Sequence, residues 1–480
     1  MVEARLVTLE QVTTALALRV DHGERLGDRL IACGAITREV LDAFIHRMPV
    51  EPADVAATRI GETDLLQLLM KLIYTGHLES IRQFVDAIKL PHHIVMDLVQ
   101  MAVDRRLLSS SGTRNSEDLL DMSYASTEAG RRYSLDALEQ SRYEGPAPVT
   151  IEEFVAQVNL QKITNERITF ERIRKALGEL SVEDSIIEQS GAALNSGQAM
   201  LLYGPPGNGK TSVALSFASV FDDVIYMPYA VMVEGQIIRV HDPSFHGLLS
   251  SNPLTEESTL SFVRREEYDA RWVPCRRPFV VAGGELTLEM LDLRYDAMAK
   301  LYEAPLHMKA LGGCFLIDDF GRQLVTPANL LNRWIVPLGS RVDYLKLHTG
   351  KSFTIPFEEL VIFSTNLEPE DLMDAAFLRR LPYKIEVGAP TLELYRRIFE
   401  NECKRQGLTL SDEVFDAIVW KIRDERGMDL GAYQPRFIVD QVVATCRFMG
   451  QTTHFEPRFI DYAIDNLRVR RSTSNHKEKD

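Results

Sequence analysis

Near the middle of the chain an apolar stretch, LLY, runs into a glycine-rich turn that ends in a Lys-Thr pair, and no other stretch limits the possible folds as much. The turn fits the spacing G-x-x-x-x-G-K-[ST], in which backbone N–H groups and a lysine surround phosphate oxygens while a hydroxyl holds Mg²⁺. The strand-like stretch before it and the helix-like stretch after it favour a phosphate loop over a chance glycine turn, so we predict a site for ATP with Mg²⁺. The predicted nucleotide-binding residues are Gly204, Pro205, Pro206, Gly207, Asn208, Gly209, Lys210, Thr211 and Ser212, with Thr211 also a ligand to Mg²⁺.

Two acidic residues follow a second apolar stretch further along the chain. The run CFLI, which ends at Ile317, is typical of a strand buried on both faces of a parallel sheet, and Asp318 and Asp319 come directly after it. Ligands in open α/β sheets lie at the carboxyl ends of the strands, so we expect these acids beside the phosphate loop. We assign Asp318 to Mg²⁺ and Asp319 to the orientation of the attacking water.

Four further polar residues continue the same chain order. The stretch LVIFSTN closes a predicted buried strand with Asn366, whose amide can position water against the γ-phosphate. Arg379 and Arg380 end a short helix-like stretch, and Arg436 begins a late helix in the stretch YQPRF. Each arginine alone is typical of a surface residue, and it is the ordered set that points to a nucleotide site.

In this order the motifs resemble those of the AAA+ ATPase family, over about residues 150–470. The resemblance implies an α/β fold: an AAA+ P-loop NTPase parallel sheet with a helical lid, preceded by helical and winged-helix-like domains. It implies Asn366 as sensor 1, Arg379 or Arg380 as the finger that reaches a neighbour's γ-phosphate, and Arg436 as sensor 2. A finger from a neighbour makes hydrolysis depend on assembly, so we expect a homo-oligomeric ring, a hexamer as in the family.

One residue departs from the family pattern. AAA+ proteins usually carry Asp-Glu at this strand end, whereas this chain carries Asp318-Asp319. The missing methylene draws the second carboxylate back by about 1 Å, and a misplacement of that size can cost roughly a hundredfold in rate. Slow hydrolysis and a compensating shift of the backbone are both open at this point, and we expect an active ATPase.

Two segments between these motifs are longer than a minimal core needs. The stretch DYLKLHTGKSFTIPF alternates on both sides of a turn, which predicts a β-hairpin. It resembles the pre-sensor-1 insertion of the clade that includes MoxR-type chaperones, magnesium chelatases and the Holliday-junction helicase motor, with Lys346 and Lys351 as candidate contacts. The basic stretch SFVRREEYDARWVPCRRPFVV either faces a substrate or the next subunit, or forms a solvated hairpin. Its notable residues are Arg264, Arg265, Arg271, Trp272, Arg276 and Arg277.

Shifts in composition divide the chain into six regions. We predict a small helical N-terminal domain over 1–70, a winged-helix-like domain over 71–143, a linker over 144–152, the AAA+ α/β core over 153–390, a helical lid over 391–471 and a disordered tail over 472–480. The winged-helix resemblance is one of pattern: helices, a polar loop, a strand-like piece and a further helix.

The N-terminal regions raise two questions about partners. Residues 79–142 carry eight basic and ten acidic residues, so a DNA-reading role lacks its usual phosphate attraction, and protein docking or a structural role is favoured. The stretch ERLGDRLIACGAITREVLDAFI is similar to one copy of the N-terminal module of type II secretion and type IV pilus ATPases. Some members of that family bind cyclic di-GMP through the Arg-Leu-Gly turn. A small helical domain with a leucine core is the favoured alternative.

Composition limits the cellular location and the functions that we expect for the chain. The net charge is −15, and the five cysteines form no CxxC pair. No apolar run approaches the roughly 18 residues of a membrane span, and the first residues lack the build of a secretion signal, so we expect a cytoplasmic protein. Two functions survive: an ATPase that remodels or assembles a protein client, in the manner of MoxR-type chaperones, and a DNA-linked motor or regulator that uses the winged helix and the basic stretch.

Overall fold

A computed structural model describes residues 6–17, 26–38, 40–41, 47–113, 122–178, 180–247, 268–373 and 375–467. None of the helices in these ranges is long and apolar enough to cross a membrane. The α-helices are α1 (Leu9–Ala17), α2 (Leu26–Ala32), α3 (Glu62–Gly76), α4 (Ile81–Ile88), α5 (His92–Asp104), α6 (Glu128–Gln140), α7 (Ile151–Leu160), α8 (Phe170–Leu177), α9 (Asp184–Ser196), α10 (Lys210–Ser216), α11 (Leu306–Lys309), α12 (Pro327–Ser340), α13 (Pro369–Leu372), α14 (Ala375–Leu378), α15 (Leu392–Arg405), α16 (Asp412–Trp420), α17 (Gln434–Phe448) and α18 (Pro457–Asn466).

The strands are β1 (Leu108–Thr113), β2 (Met122–Ser126), β3 (Val149–Thr150), β4 (Met200–Tyr203), β5 (Val224–Pro228), β6 (Ala230–Val233), β7 (Gln236–Arg239), β8 (Trp272–Arg276), β9 (Phe279–Ala282), β10 (Arg294–Asp296), β11 (Leu301–Glu303), β12 (Cys314–Ile317), β13 (Val342–Lys346), β14 (Ser352–Pro356), β15 (Leu360–Ser364) and β16 (Tyr383–Glu386). Short 3-10 helices cover Ala56–Thr58, Ile163–Asn165, Phe217–Ser219 and Leu288–Leu291, and a π-helical turn covers Lys421–Glu425.

Five parallel strands form the central sheet, in the order β16-β4-β15-β12-β9. Every residue of β12 and β15 is buried, as expected of strands that are covered on both faces. Alternate residues enter separate cores, with Leu316 and Ile362 in one and Phe315 and Phe363 in the other. The strand order reverses at β4, so a crevice opens outside its carboxyl end, where open α/β sheets bind ligands. The predicted α/β fold class is confirmed.

A second, mixed sheet has the order β10-β11-β7-β6-β3, and four of its strands lie between β4 and β12 in the chain. Ala230, Met232 and Ile237 of this sheet pack against the core of the N-terminal helices. Val231 and Ile238, which alternate with them, enter a different core that includes apolar residues of α7. The second sheet therefore lies between the N-terminal helices and the rest of the chain and is packed on both faces.

The prediction that residues 144–152 form a linker is wrong, because this segment is packed against the rest of the protein. Ala147 and Val149 are fully buried, and Val149 pairs with Val231 as part of β3. The next helix, α7, begins inside the same segment, where Thr150 and Glu153 form a capping box. The segment is a packed connection, because a strand distant in the sequence covers it. Its proline and glycine residues belong to a packed, turning segment and do not mark a solvated linker.

The N-terminal helices form one unit in the order α3-α4-α5, β1-β2, α6. Helix α3 runs without a break from Glu62 to Gly76, so the predicted domain boundary after residue 70 is wrong, and the core of this unit already begins at Val55. Ser80 and Gln83 form a capping box at the start of α4, and Ser80 also forms an antiparallel β-bridge with Ser123 of β2. The other domain limits stay predictions.

The basic stretch before the second acidic motif lies largely inside the protein. Arg271 is 1% exposed and donates to both carboxylate oxygens of Asp269, while Trp272 is also buried. Arg277 is buried against Asp223 and several backbone carbonyls, and Arg276 is exposed. The prediction of a substrate-facing or solvated segment is therefore wrong for Arg271 and Arg277, because their guanidinium groups are buried against carboxylates and backbone carbonyls within the chain.

Parts of three predictions lie outside the described residues: Arg264 and Arg265 of the basic stretch, Arg25 of the Arg-Leu-Gly turn, and the tail over 472–480. Leu26 and Gly27 belong to helix α2 and not to a turn. A Cβ on Gly27 would lie 2.7 Å from the side chain of Leu41, so this glycine permits close packing in a small core. That packing agrees with the small helical domain that we favoured.

The predicted β-hairpin between β12 and β15 is confirmed, since β13 and β14 pair antiparallel. Its tip lies on the second sheet: the backbone N–H of His348 donates to the hydroxyl of Tyr302 at 2.9 Å. Lys351 forms an ion pair with Glu234, at the turn between β6 and β7, while Lys346 is exposed. The hairpin therefore joins the strand that precedes Asn366 to the second sheet.

Helices α15 to α18 pack around an apolar core of their own. The hydroxyl of Thr391 caps the start of α15, and Pro435 in the first turn of α17 suits a position without a hydrogen-bonded N–H. This helical unit lies against the phosphate loop, where the backbone N–H of Ala432 donates to Asn208 Oδ1 at 3.2 Å. It occupies the place predicted for the helical lid.

Candidate functional site

The phosphate-loop residues connect β4 to α10 through backbone conformations that favour glycine. Gly204 has φ +131°, and a Cβ there would lie 2.7 Å from the carbonyl oxygen of Val387. Gly207 has φ +81°, and a Cβ there would lie 2.4 Å from the ring of Tyr433. Helix α10 begins directly after the loop at Lys210, so its N-terminal N–H groups face the same space.

The ammonium group of Lys210 folds back over the loop. It donates to the carbonyl oxygens of Gly204 and Pro205 at 2.9 and 2.8 Å and to Asn366 Oδ1 at 2.7 Å. Burial lowers the pKa of Lys210, while the nearby carboxylates of Asp319 and Asp318 act in the opposite direction. The group is thus held at the loop by exchangeable acceptors, which is the position predicted for contact with phosphates.

Asp318 accepts two hydroxyl donors on one oxygen. Thr211 Oγ1 donates to Asp318 Oδ1 at 2.9 Å, and Ser364 Oγ donates to the same oxygen at 2.5 Å. The structure therefore brings together the two residues that we predicted as Mg²⁺ ligands. A carboxylate and a hydroxyl are the hard oxygen ligands that Mg²⁺ prefers.

Asn366 connects the lysine to the second acid. Its Oδ1 accepts from Lys210, and its Nδ2 donates to Asp319 Oδ1 at 3.1 Å. Asp319 has φ +50°, which is the left-handed region of the backbone and uncommon for a residue other than glycine. The compensating backbone shift that we left open for this shorter acid thus has a structural counterpart.

A cavity of about 730 Å³ lies between the phosphate loop and the helices α15 and α17. Asp319 and Asn366 line it from the sheet, and Tyr433, Arg436 and Ile398 line it from the helices. A recess of about 200 Å³ continues from it. The volume falls in the range of about 300 to 1,000 Å³ that is usual for ligand sites.

The recess has both apolar and polar walls. Its walls include the apolar side chains of Val182, Ile186, Val387 and Ile398, and Asn208 lies at the junction with the phosphate loop. Ser181 and Glu386 also line the recess, so a flat ring would meet both polar and apolar groups there, while the phosphate loop suits the charged end of the same molecule. The arrangement fits the two ends of a nucleotide.

The predicted arginines lie in two different places. Arg436 lines the cavity, and its side chain is 71% exposed and 3.7 Å from Asp440. Arg379 is exposed and Arg380 lies beside Gly339, and neither lines the cavity. The structure therefore brings Arg436 to the candidate site and keeps the two predicted finger residues away from the site of their own subunit.

The sequence reasoning missed several residues of this site. Ser364 shares Asp318 with Thr211, and Gln323 bonds the backbone after β12. Val182 and Tyr433 cover the recess and the loop. Ser364 stands two residues before Asn366 at the end of a buried strand, so its position could have been found. Tyr433 belongs to the YQPRF stretch that predicted Arg436, whereas Val182 and Gln323 lie outside the motifs.

The residues present fit a nucleoside triphosphate with Mg²⁺. The loop has close approaches that exclude side chains at Gly204 and Gly207, and Lys210 supplies a cation at its centre. The hydroxyl of Thr211 lies within hydrogen-bond distance of the carboxylate of Asp318, so one ion can reach both oxygens.

The strand order, the loop and the helical unit together define the class of the protein. In chain order, the strands across the central sheet are the fifth, first, fourth, third and second. The phosphate loop follows the first strand, the paired acids follow the third, and Asn366 follows the fourth. The chain has the α/β fold of an AAA+ P-loop ATPase.

Comparisons with known proteins give a family model and several similar chains. A model described as a domain of unknown function, DUF8689, matches residues 391–466, which are the helical unit after β16. Lon protease 2 of Hydrogenovibrio crunogenus is 27% identical over 223 residues, which are 44% of this chain and 24% of that protein, so the match spans about a quarter of this relative's length.

Similar solved structures share little sequence with the chain. NtrX of Brucella abortus in complex with ADP has 13% identity and a TM-score of 0.37, and the match covers 73% of this chain and 69% of that one. Domain III of the replication initiation protein DnaA of Thermotoga maritima has 10% identity and a TM-score of 0.34, with 60% and 95% covered. The assignment of the fold rests on the strand order and the loop, and not on these similarities.

Proposed function

We propose that the protein is an ATP-hydrolysing AAA+ ring motor that remodels or assembles a protein client, which its N-terminal helices recruit. One observation carries the ATPase: Lys210, Thr211 and the paired aspartates converge with Asn366 at one edge of the parallel sheet. Hydrogen bonds of 2.7 and 3.1 Å link Lys210 through Asn366 to Asp319, and a separate bond of 2.9 Å links Thr211 to Asp318. This is the set of groups that phosphoryl transfer to water needs.

Each residue of this set has a distinct role in the proposal. The loop N–H groups and Lys210 bind the triphosphate, and Thr211 and Asp318 hold Mg²⁺, which would offset charge that develops on the phosphates. Asp319 orients the attacking water, and Asn366 fixes the direction of the Asp319 carboxylate through its Nδ2. Arg436 reaches the nucleotide from the lid side of the cavity.

The proposed ring follows from the position of the finger residues. Arg379 is exposed, and the described part of the chain gives its side chain no hydrogen bond or ion pair. Arg379 does not line the nucleotide cavity of its own subunit. In the proposal it serves the cavity of a neighbour. Closed rings with head-to-tail interfaces bring such residues to the next site, and a hexamer is the proposed form.

Mixing two inactive variants tests this ring. Lys210→Ala removes phosphate binding in its own subunit, and Arg379→Ala removes the finger offered to the neighbour. We expect each variant alone to hydrolyse ATP at least about a hundredfold more slowly than the wild type, since a finger is worth 10³ or more. An equal mixture is expected to regain activity, because about a quarter of the interfaces in a randomly mixed ring pair an intact site with an intact finger.

Phosphate release is the measurement for the mixing experiment, and the same mixture made with Arg380→Ala shows which of the two arginines is the finger. A mixture that stays as inactive as its separate components, with either arginine variant, would contradict a finger supplied by a neighbour.

A protein client is favoured over DNA by where the basic residues lie. Arg271 and Arg277 are committed to buried partners, which removes most of the described basic stretch from any DNA surface. The net charge of the chain is −15, and phosphate contacts supply most non-specific affinity for DNA. In the proposal, the helix–hairpin unit α3 to α6 is a winged-helix-like protein-docking domain, and the hairpin β13-β14 links the chain to the MoxR-type clade.

The dependence of ATP hydrolysis on DNA separates the two functions. We expect duplex and single-stranded DNA to change the hydrolysis rate by less than about twofold at 50 mM salt. A DNA-linked motor would instead be stimulated at 50 mM and lose that stimulation steeply by about 200 mM salt. The measurement is the steady-state rate with and without DNA, with Arg276→Ala as the matched variant of the exposed arginine. Salt-sensitive stimulation that this variant reduces would favour the DNA function.

A further inference from the structure

The backbone at Asp319 is unusual for its residue type. Its φ of +50° lies in the left-handed region, where a Cβ crowds the carbonyl that follows it. Aspartate enters this region more readily than most residues, and glutamate has no such preference. The conformation sets the direction in which the short side chain leaves the backbone, so it decides where the carboxylate lies.

The side chain of Gln323 closes the turn that contains this residue. Its Nε2 donates to the carbonyl oxygens of Asp318 and Asp319 at 2.8 and 3.2 Å. Its Oε1 accepts from the backbone N–H of Gly321 at 2.8 Å. The same turn is closed by the N–H of Arg322, which donates to the Asp319 carbonyl at 3.0 Å. One amide thus holds three backbone groups around Asp319.

The carboxylate held in this way is part of the nucleotide site. Asp319 Oδ1 accepts from Asn366 Nδ2 at 3.1 Å, and Asn366 Oδ1 accepts from Lys210 at 2.7 Å. A continuous chain of hydrogen bonds therefore runs from Gln323, through the backbone and side chain of Asp319, to the lysine of the phosphate loop. Gln323 itself does not line the nucleotide cavity.

We infer that Gln323 is a positioning residue, which holds Asp319 in the left-handed conformation so that an acid one methylene shorter than glutamate reaches Asn366. The inference rests on the proposed ATPase function. It accounts for the departure of Asp318-Asp319 from the usual Asp-Glu pair: the backbone conformation, and not the length of the side chain, places the carboxylate. The carboxylate can be placed either by the longer side chain of glutamate or by a backbone that Gln323 holds in the left-handed conformation. This chain uses the backbone.

Removal of the clamp tests the positioning role. Gln323→Ala is expected to lower kcat for ATP hydrolysis by about tenfold to a hundredfold, which is the cost of a misplacement of about 1 Å. KM for ATP and the thermal unfolding midpoint are expected to stay near wild-type values, because Gln323 contacts neither the cavity nor an apolar core. Gln198→Ala, at an exposed glutamine just before β4, is the control and is expected to behave as the wild type.

The direction in which a second substitution changes kcat distinguishes a positioning role from a general structural role. In the wild-type background Asp319→Glu is expected to lower kcat by about tenfold or more, since the longer side chain overshoots from a left-handed backbone. In the Gln323→Ala background the same substitution is expected to raise kcat, because the released turn can adopt the conformation that suits glutamate. Loss of a merely structural residue gives no reason for such a reversal.

Each outcome has one meaning. Wild-type kcat in Gln323→Ala, or a higher kcat for Asp319→Glu in the wild-type background, would overturn the positioning role and leave the ATPase intact. A wild-type protein that binds ATP without hydrolysing it would overturn the proposed function, and this inference with it. A fall in kcat with unchanged KM, followed by recovery in the double variant, supports both.

Discussion

Asp319→Asn is expected to bind ATP with near wild-type affinity and to hydrolyse it about a thousandfold more slowly. The amide keeps the shape of the side chain and its contact with Asn366, but it loses the negative charge that orients and polarises the attacking water. Groups that act on the proton of the nucleophile contribute about 10² to 10⁴ in rate. Steady-state phosphate release and the binding of a fluorescent ATP analogue measure the two quantities separately.

Asp416→Asn provides the matched control for this substitution. Asp416 is exposed on helix α16, so its substitution by asparagine is expected to leave both ATP turnover and ATP binding unchanged. Turnover by Asp319→Asn at the wild-type rate would exclude Asp319 from the reaction. Loss of ATP binding would instead assign Asp319 to the nucleotide or metal contacts, and the role given to Asp318 would then need to be tested in the same way.

Arg271→Met is expected to reduce the free energy of unfolding by about 3 to 5 kcal/mol, the usual cost of leaving one member of a buried ion pair without its partner. The side chains of Arg271 and Asp269 are 1% and 2% exposed. Arg271 also donates to the carbonyl oxygen of Pro148 and to Glu153, so it ties the connection before β3 and the first turn of α7 to the residues before β8. Urea unfolding followed by tryptophan fluorescence measures the change, since Trp272 is buried next to it.

Two comparisons make this stability experiment specific. Arg276→Met changes an exposed arginine of the same stretch and is expected to shift the unfolding free energy by less than about 0.5 kcal/mol. The double variant Asp269→Leu with Arg271→Met removes both charges and is expected to be more stable than Arg271→Met alone. If Arg271→Met and Arg276→Met unfold at the same urea concentration, the buried pair does not stabilise the fold.

The parts of the site that the sequence predicts share one property, which is a place in a local pattern. Lys210 and Thr211 belong to a continuous motif, and Asp318 and Asn366 each close an apolar run. Parallel strands put all their carboxyl ends at one edge, so separate patterns of this kind meet without any further information. The β13-β14 hairpin was predicted for a similar reason, because alternation on both sides of a turn is a local signal.

The parts that the sequence does not predict depend on contacts between distant residues. The buried state of Arg277 depends on Asp223, and the packed state of Val149 depends on Val231, a residue beyond the phosphate loop. Charge-rich and proline-rich stretches look solvated when their partners lie elsewhere in the chain. The left-handed backbone at Asp319 is a finer case, since it needs the side chain of Gln323 and no motif contains that pair.

The packing of the second sheet affects how a mechanical force would pass through the chain. Ala230, Met232 and Ile237 put one of its faces under the N-terminal helices, and the tip of the β13-β14 hairpin rests on it through Tyr302. A force applied to the N-terminal helices would therefore reach the strand before Asn366 as shear between packed layers. The same contacts mean that cutting away the N-terminal helices would uncover an apolar face of the second sheet, so these helices and the sheet behave as one mechanical body.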